Sequence, residues 1–162
     1  MNRANIIGIF MNKRKRYSTM TNERLTLAAP CGIDCGVCEL NMCKENPQLM
    51  DVLVSMGIPR DKILCDGCRS IQGNCPVIKG KCETYKCVAE KNVEFCFECD
   101  KFPCVKLQPS ADRADKLPHN MKVFNLCTMK RVGVENFILQ SSEIKKRYYA
   151  GKMDIGSGPQ LK

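Results

Sequence analysis

The chain has 162 residues, of which 44% are hydrophobic, 27% charged and only 6% aromatic, with no Trp. This size and composition are typical of one soluble globular domain, and no apolar run approaches the ~20 residues needed to span a bilayer. The net charge of +9 does not indicate a nucleic-acid-binding body, because residues 1–27 carry +5 of it and the rest of the chain only +4.

Residues 1–27 are predicted to form a disordered basic leader. They contain the run Lys13-Arg14-Lys15-Arg16 and show no helical or strand periodicity. The apolar stretch of residues 6–10 precedes this run, whereas in a secretory signal peptide the basic residues come first. A solvated leader is therefore preferred over a nucleic-acid-binding arm.

Residues 28–107 are predicted to form a cysteine-rich metal-binding domain that contains two helices. The first begins near Pro47 and ends at Gly57, because its apolar residues recur at i, i+3, i+4 and i+7. A second, shorter helix is expected from Cys87 to Asn92. The apolar positions of the first helix are Leu49, Val52, Leu53 and Met56.

Residues 108–162 are predicted to form a helical extension that packs on this domain. One amphipathic helix is expected there, with basic residues in its last turn, where cations suit the helix dipole. Residues 156–159 are expected to terminate the chain's ordered structure, and strand signals are weak throughout. The predicted fold is thus a small, irregular, metal-stapled α+β domain, mostly helix and loop, with knuckle-like cysteine turns and a C-terminal amphipathic helix. The residues that line one face of this C-terminal helix are Val134, Phe137, Ile138, Ser141, Ile144 and Tyr148.

Cysteine is the unusual residue: 12 of the 13 cysteines lie between Cys31 and Cys104. A Cys-x2-Cys pair followed by a third cysteine occurs three times, a spacing that brings two thiolates to one metal through a short turn. The odd total and the missing signal peptide argue against a disulfide scaffold and favour a reduced, cytoplasmic protein. The triplets are Cys35, Cys38, Cys43; Cys65, Cys68, Cys75; and Cys96, Cys99, Cys104.

Three further cysteines in this region, Cys31, Cys82 and Cys87, bring the count to twelve, enough for three four-cysteine sites. Spacing alone does not assign cysteines to individual ions. Cys127 stands apart and is expected to be a small buried apolar residue. Zinc is the preferred metal, because it accepts four thiolates. Each structural zinc site also contributes on the order of 10 kcal/mol to folding, a stabilisation that a core with so few aromatic residues does not supply.

Iron–sulfur clusters are the alternative, since they also use four thiolates, although the bacterial ferredoxin run is absent. Cys31-x3-Cys35-x2-Cys38 matches the signature of radical S-adenosylmethionine enzymes, but the chain is too short for their barrel and Val37 replaces the usual aromatic residue. The only histidine is His119, and there is no phosphate loop, dinucleotide fingerprint or nucleophile elbow. No catalytic residue is predicted, and an enzyme is not expected.

Three segments together resemble the cysteine-rich domain of unknown function 3795: Ala29-Pro30-Cys31-Gly32-Ile33-Asp34-Cys35-Gly36-Val37-Cys38, Ile63-Leu64-Cys65-Asp66-Gly67-Cys68 and Phe95-Cys96-Phe97-Glu98-Cys99-Asp100-Lys101-Phe102-Pro103-Cys104. The resemblance runs from about Leu25 to Leu107, and residues 111–118 with the closing helix resemble one branch of the family. It implies metal binding but no reaction, and Cys43 falls outside its pattern. The metal ligands that it implies are Cys31, Cys35, Cys38, Cys65, Cys68, Cys75, Cys82, Cys87, Cys96, Cys99 and Cys104.

Two functions from different classes are consistent with the sequence. One is a zinc-binding structural or interaction module with an unidentified protein partner and no membrane contact. The other is an iron–sulfur protein of an anaerobe that transfers electrons or assists an enzyme. Nucleic-acid binding is disfavoured, because it would need basic and aromatic residues interleaved on one face and aromatic residues are sparse.

Overall fold

A computed structural model describes residues 21–76, 78, 80–108 and 119–161. This part of the chain is mostly helical with little strand, as predicted, and none of its helices is both long and apolar enough to cross a membrane. The helices are α1 (Asn22–Thr26), α2 (Glu39–Met42), α3 (Pro47–Ser55), α4 (Arg60–Ile63), α5 (Glu83–Glu90), α6 (His119–Val132) and α7 (Val134–Ala150). Three 3-10 turns span Cys35–Val37, Cys96–Glu98 and Val105–Leu107, and an antiparallel hairpin pairs β1 (Lys152–Asp154) with β2 (Gly158–Gln160).

Helix α3 confirms the prediction made from its apolar spacing. The Asn46 side chain caps it by accepting a hydrogen bond from the Leu49 amide at 3.1 Å, and Pro47 occupies the first turn, where its missing N–H costs nothing. The helix ends just before Gly57, which has a left-handed φ of 87°. Both ends are thus specified by residues next to the helix in sequence.

Helices α6 and α7 pack against each other as a hairpin joined at Gly133. The prediction of α7 is confirmed, but α6 was not predicted. Its buried face combines Leu126 and Met129 with the polar residues Asn125 and Thr128, so its apolar periodicity is broken in the sequence. The Nδ2 of Asn125 donates to the Gly32 carbonyl, and the Thr128 hydroxyl donates to the Phe124 carbonyl one turn earlier in the helix.

Two further predictions need correction. The short helix expected from Cys87 to Asn92 is α5, which begins four residues earlier, at Glu83. An ion pair of 2.5 Å between Glu83 and Lys86 supports its first turn. Residues 156–159, expected to end the ordered structure, instead include the hairpin turn and the start of β2. The family-like segment of residues 111–118 lies outside the described residues.

Buried side chains form two clusters. The first joins the third cysteine motif to the two long helices, so the cysteine-rich segment and the C-terminal helices share one core. The second lies under α3 and contains two cysteines. The clusters consist of Ala28, Phe95, Leu107, Leu126, Met129, Phe137 and Ile138, and of Leu40, Cys43, Met50, Leu53, Ile63 and Cys65.

Residues 1–27 were predicted to be a disordered leader, but residues 22–26 of this segment form helix α1. Leu25 packs against the first cluster, Arg24 pairs with Asp34, and the Leu27 carbonyl accepts a hydrogen bond from the Cys35 amide at 2.8 Å. These contacts are long-range, which is why the local sequence did not reveal the helix. Residues 1–20 lie outside the described residues.

A chain that begins at Met20 is therefore expected to match the full chain in melting temperature and metal content, since it retains α1. A chain that begins at Ala28 is expected to melt at a clearly lower temperature, because it lacks Arg24 and Leu25. Thermal unfolding followed by circular dichroism, with metal analysis of both truncated chains, checks this. Equal stability of the two truncated chains would show that α1 is dispensable.

Candidate metal centre

The first cysteine pair lies on a 3-10 turn. The amide of Cys38 donates to the carbonyl of Cys35 at 3.1 Å, and the Asp34 carboxylate accepts from the amide of Gly36 at 2.9 Å, which caps the turn. Side chains three residues apart in a 3-10 turn lie one above the other. Cys35 and Cys38 are therefore on the same side of the turn, as the predicted knuckle requires.

The third pair has the same local structure. The amide of Cys99 donates to the carbonyl of Cys96 at 3.2 Å, and the Glu98 carboxylate accepts from the amide of Phe95 at 3.3 Å. Beyond the turn, the amide of Lys101 donates to the Cys99 sulfur at 3.4 Å. Cys96 and Cys99 are therefore on the same side of their turn, as in the first pair.

The second pair packs directly on the first. The amide of Cys68 donates to the Cys35 sulfur at 3.4 Å, although the two residues are 33 apart in sequence. Gly67 permits this approach: its φ is +90°, and a Cβ there would lie 2.8 Å from the Leu27 side chain and 3.5 Å from the Cβ of Cys35. Only glycine fits at this position of the Cys65-x2-Cys68 turn.

A second glycine positions Cys31. Gly32 has a φ of +91°, and a Cβ on it would lie 2.7 Å from the Lys122 carbonyl oxygen of α6. Its own carbonyl accepts a hydrogen bond from the Asn125 side chain at 2.8 Å. The loop that carries Cys31 therefore packs closely against α6.

The electrostatic environment of the thiols shows which cysteines lie near one another. Burial, followed by the neighbouring thiols, raises the pKa of Cys96 to about 12 and that of Cys68 to about 12. The Cys31 thiol contributes to both shifts. The neighbours are Cys31, Cys104, Cys87 and Cys99 for Cys96, and Cys31, Cys82, Cys75 and Cys65 for Cys68.

The pKa values of Cys35 and Cys38 are also raised, in both cases mainly by burial. Lys145 of α7 opposes the shift at Cys38; its ammonium group contacts the Val37 carbonyl and lies 2.6 Å from the Glu39 carboxylate. Buried thiols with raised pKa values stay protonated at neutral pH. A divalent cation among them would stabilise the thiolates and release their protons.

The eleven cysteines implied by the family pattern all lie in the described residues, and the turns that carry Cys35 and Cys68 are in direct contact. An all-sulfur donor set suits zinc or an iron–sulfur cluster. Within residues 21–76, 78, 80–108 and 119–161, however, no three Cys, His, Asp or Glu side chains already form a metal-binding group. None of the thirteen cysteines forms a disulfide.

The two cysteines outside the family pattern differ from each other. Cys43 is 2% exposed among the apolar residues of the second cluster, and its thiol contacts the Leu40 carbonyl at 3.4 Å. The prediction that Cys127 is buried is wrong, because its side chain is exposed. Its neighbours Leu126 and Thr128 face the core, which leaves Cys127 on the outer face of α6.

Asp34 is a structural residue of the first cysteine motif whose role the sequence interpretation missed. Its side chain is almost fully buried and accepts two hydrogen bonds from the Arg24 guanidinium, at 2.7 and 2.5 Å, and one from the Ser141 hydroxyl at 2.5 Å. It therefore ties α1 and α7 to the turn that carries Cys35. Its position directly before a Cys-x2-Cys turn, where aspartate is a common cap, is the signal that could have revealed it.

Comparison with known proteins agrees with the pattern of cysteines. Residues 27–109 match the model of the family described as Protein of unknown function (DUF3795). No curated protein and no solved structure matches the chain. Because the match covers half of the chain and includes all three Cys-x2-Cys turns, the chain belongs to the DUF3795 family.

Proposed function

We propose that this protein binds zinc through the cysteines of residues 31–104 and that the metal has a structural role. The observation that carries the proposal is the contact between two Cys-x2-Cys turns, in which the amide of Cys68 donates to the sulfur of Cys35. Turns that each present two thiols and pack together are how tetrahedral four-cysteine sites are assembled.

The number of metal ions in this proposal is set by the family pattern, from which Cys43 is absent. The apolar cluster that holds Cys43 also contains Cys65, a ligand of the pattern, so burial alone does not distinguish these two thiols. The eleven thiols of the pattern fill two four-cysteine sites with three left over. We therefore propose at least two closed sites. A closed site has no free coordination position for water or substrate, which supports a scaffold and not a catalyst.

In this proposal the metal holds the cysteine-rich segment in shape, and the rest of the surface contacts a protein partner. Exposed apolar side chains on the two long helices, such as Phe124 and Leu139, are available for that contact.

Matched cysteine variants test the zinc proposal. Protein purified without oxygen is expected to contain at least two zinc ions per chain by elemental analysis. Cys96→Ser should lose about one equivalent, because Cys96 lies among four other thiols of the pattern, whereas Cys127→Ser should lose none, since Cys127 is exposed and outside it.

Circular dichroism of both variants distinguishes loss of one ligand from general unfolding. Iron with visible absorbance in place of zinc would reject the assignment of the metal. Absence of any bound metal, or an equal loss in Cys127→Ser, would reject the site itself.

A further inference from the structure

A cavity of about 480 Å³ lies between α3 and the two long helices, in the size range of small-molecule sites. Its walls are mainly apolar and come from α3, from residues 33–40 and from the two long helices, which contribute Asn125 of α6 and Tyr149 of α7. Cys38 is one of the lining residues, but the other cysteines of the pattern do not line it.

The apolar wall of this cavity is left partly open to solvent. Helix α3 uses Met50 and Leu53 to fill the second cluster, while Val52 is 53% exposed and Met56 is 72% exposed. Both exposed residues line the cavity. The stripe that predicted α3 from the sequence is therefore only half covered by the chain itself, and the apolar area that remains favours an apolar occupant.

The side chain of Asn125 has one hydrogen-bonding atom with a partner, Nδ2, and one without, Oδ1. It is 3% exposed, and its Nδ2 donates to the Gly32 carbonyl at 2.8 Å. Because a carbonyl only accepts hydrogen bonds, this contact fixes the orientation of the amide. Its Oδ1 is then the one buried side-chain nitrogen or oxygen of the described residues that lacks a hydrogen bond. Such an unmet acceptor is unfavourable, and a donor on a ligand would remove the penalty.

The charged groups around the cavity balance one another. Lys145 lies 2.6 Å from the Glu39 carboxylate, and Asp34 is paired with Arg24. These pairs leave no unmatched charge at the wall to bind an ionic ligand.

We infer that the cavity binds an uncharged, mainly apolar small molecule whose hydroxyl or amide N–H donates a hydrogen bond to the Oδ1 of Asn125. The apolar part of the molecule lies against α3, in contact with Val52 and Met56. This site is separate from the zinc proposal, since it needs no metal and only one cysteine of the pattern, Cys38, lines it.

The probe is 4-propylphenol, with 4-propylanisole as its matched partner that lacks the donor. The full metal-bound chain, labelled with ¹⁵N and ¹³C-methyl groups, is titrated with each by NMR. The phenol is expected to shift the signals of Asn125, Leu53 and Met56 saturably. The anisole is expected to bind about fivefold more weakly, which is the effect of one net hydrogen bond.

Two arginine variants of α3 provide the spatial control. Val52→Arg places a charge in the cavity wall and is expected to abolish the shifts, while Val54→Arg, on the same helix but outside the cavity, should leave them unchanged. Zinc content measured on both variants separates this result from the metal proposal. Equal binding of the two probes would show that water satisfies Asn125, and equal loss in the two variants, or no saturable shifts, would overturn the site.

Discussion

Removal of the zinc proposed above is expected to abolish the cooperative thermal unfolding of this protein. Each structural four-cysteine zinc site contributes on the order of 10 kcal/mol to folding, which exceeds the total stability of a typical domain. The first cluster is not expected to compensate, because Phe95 and Leu107 reach it from the cysteine-rich segment that the proposed metal would hold in place. Chelation under reducing, oxygen-free conditions, followed by circular dichroism on heating, measures the effect.

The same chelation on Cys127→Ser is the control, because this variant cannot form disulfides through the exposed thiol of Cys127. Loss of the transition in both proteins, and its return when zinc is added, is the expected pattern. A metal-free protein that keeps its native spectrum and melting temperature would show that the apolar clusters suffice for folding.

The second large effect is expected at Asp34. Asp34→Ala should destabilise the protein by about 3 kcal/mol, because it leaves Arg24 without its partner in a partly buried site and removes the acceptor of Ser141. For a chain of this size that corresponds to a fall in melting temperature of roughly 6–12 °C. Thermal unfolding of the metal-bound variant measures it.

Two variants give the comparison. Asp34→Asn keeps an acceptor of the same shape and should lose less, and Asp61→Ala, an exposed aspartate in α4, should change stability by about 0.5 kcal/mol at most. If Asp34→Ala were no more destabilising than Asp61→Ala, the buried ion pair would not hold α1 and α7 to the cysteine turn.

Several features of this protein are local and were therefore predictable. The pairs Cys35–Cys38, Cys65–Cys68 and Cys96–Cys99 carry the family pattern, because ligand spacing within a turn is a property of four consecutive residues. Helices α3 and α7 were predicted because their apolar periodicity and ends are encoded within the segments themselves.

Other features depend on contacts between distant residues. The chain's cysteines look alike in sequence, yet Cys43 is enclosed by apolar residues of α3 and α4 while Cys127 faces solvent. Only the packing of the helices decides which thiol is covered. For this reason the number of cysteines could be read from the sequence, but their burial is known only from the structure.

The sequence by itself determined the family, the cysteine turns and the two helices with regular apolar spacing, since each is written in neighbouring residues. The tertiary structure alone decided that α1 is ordered, that α6 exists and that Asp34 joins α1 and α7 to the cysteine motif. Ser141 and Asp34 are 107 residues apart, and Asn125 and Gly32 are 93 apart. Polar residues of this kind become buried only because a distant part of the chain supplies their hydrogen bonds. The local sequence does not indicate which distant residue that partner is.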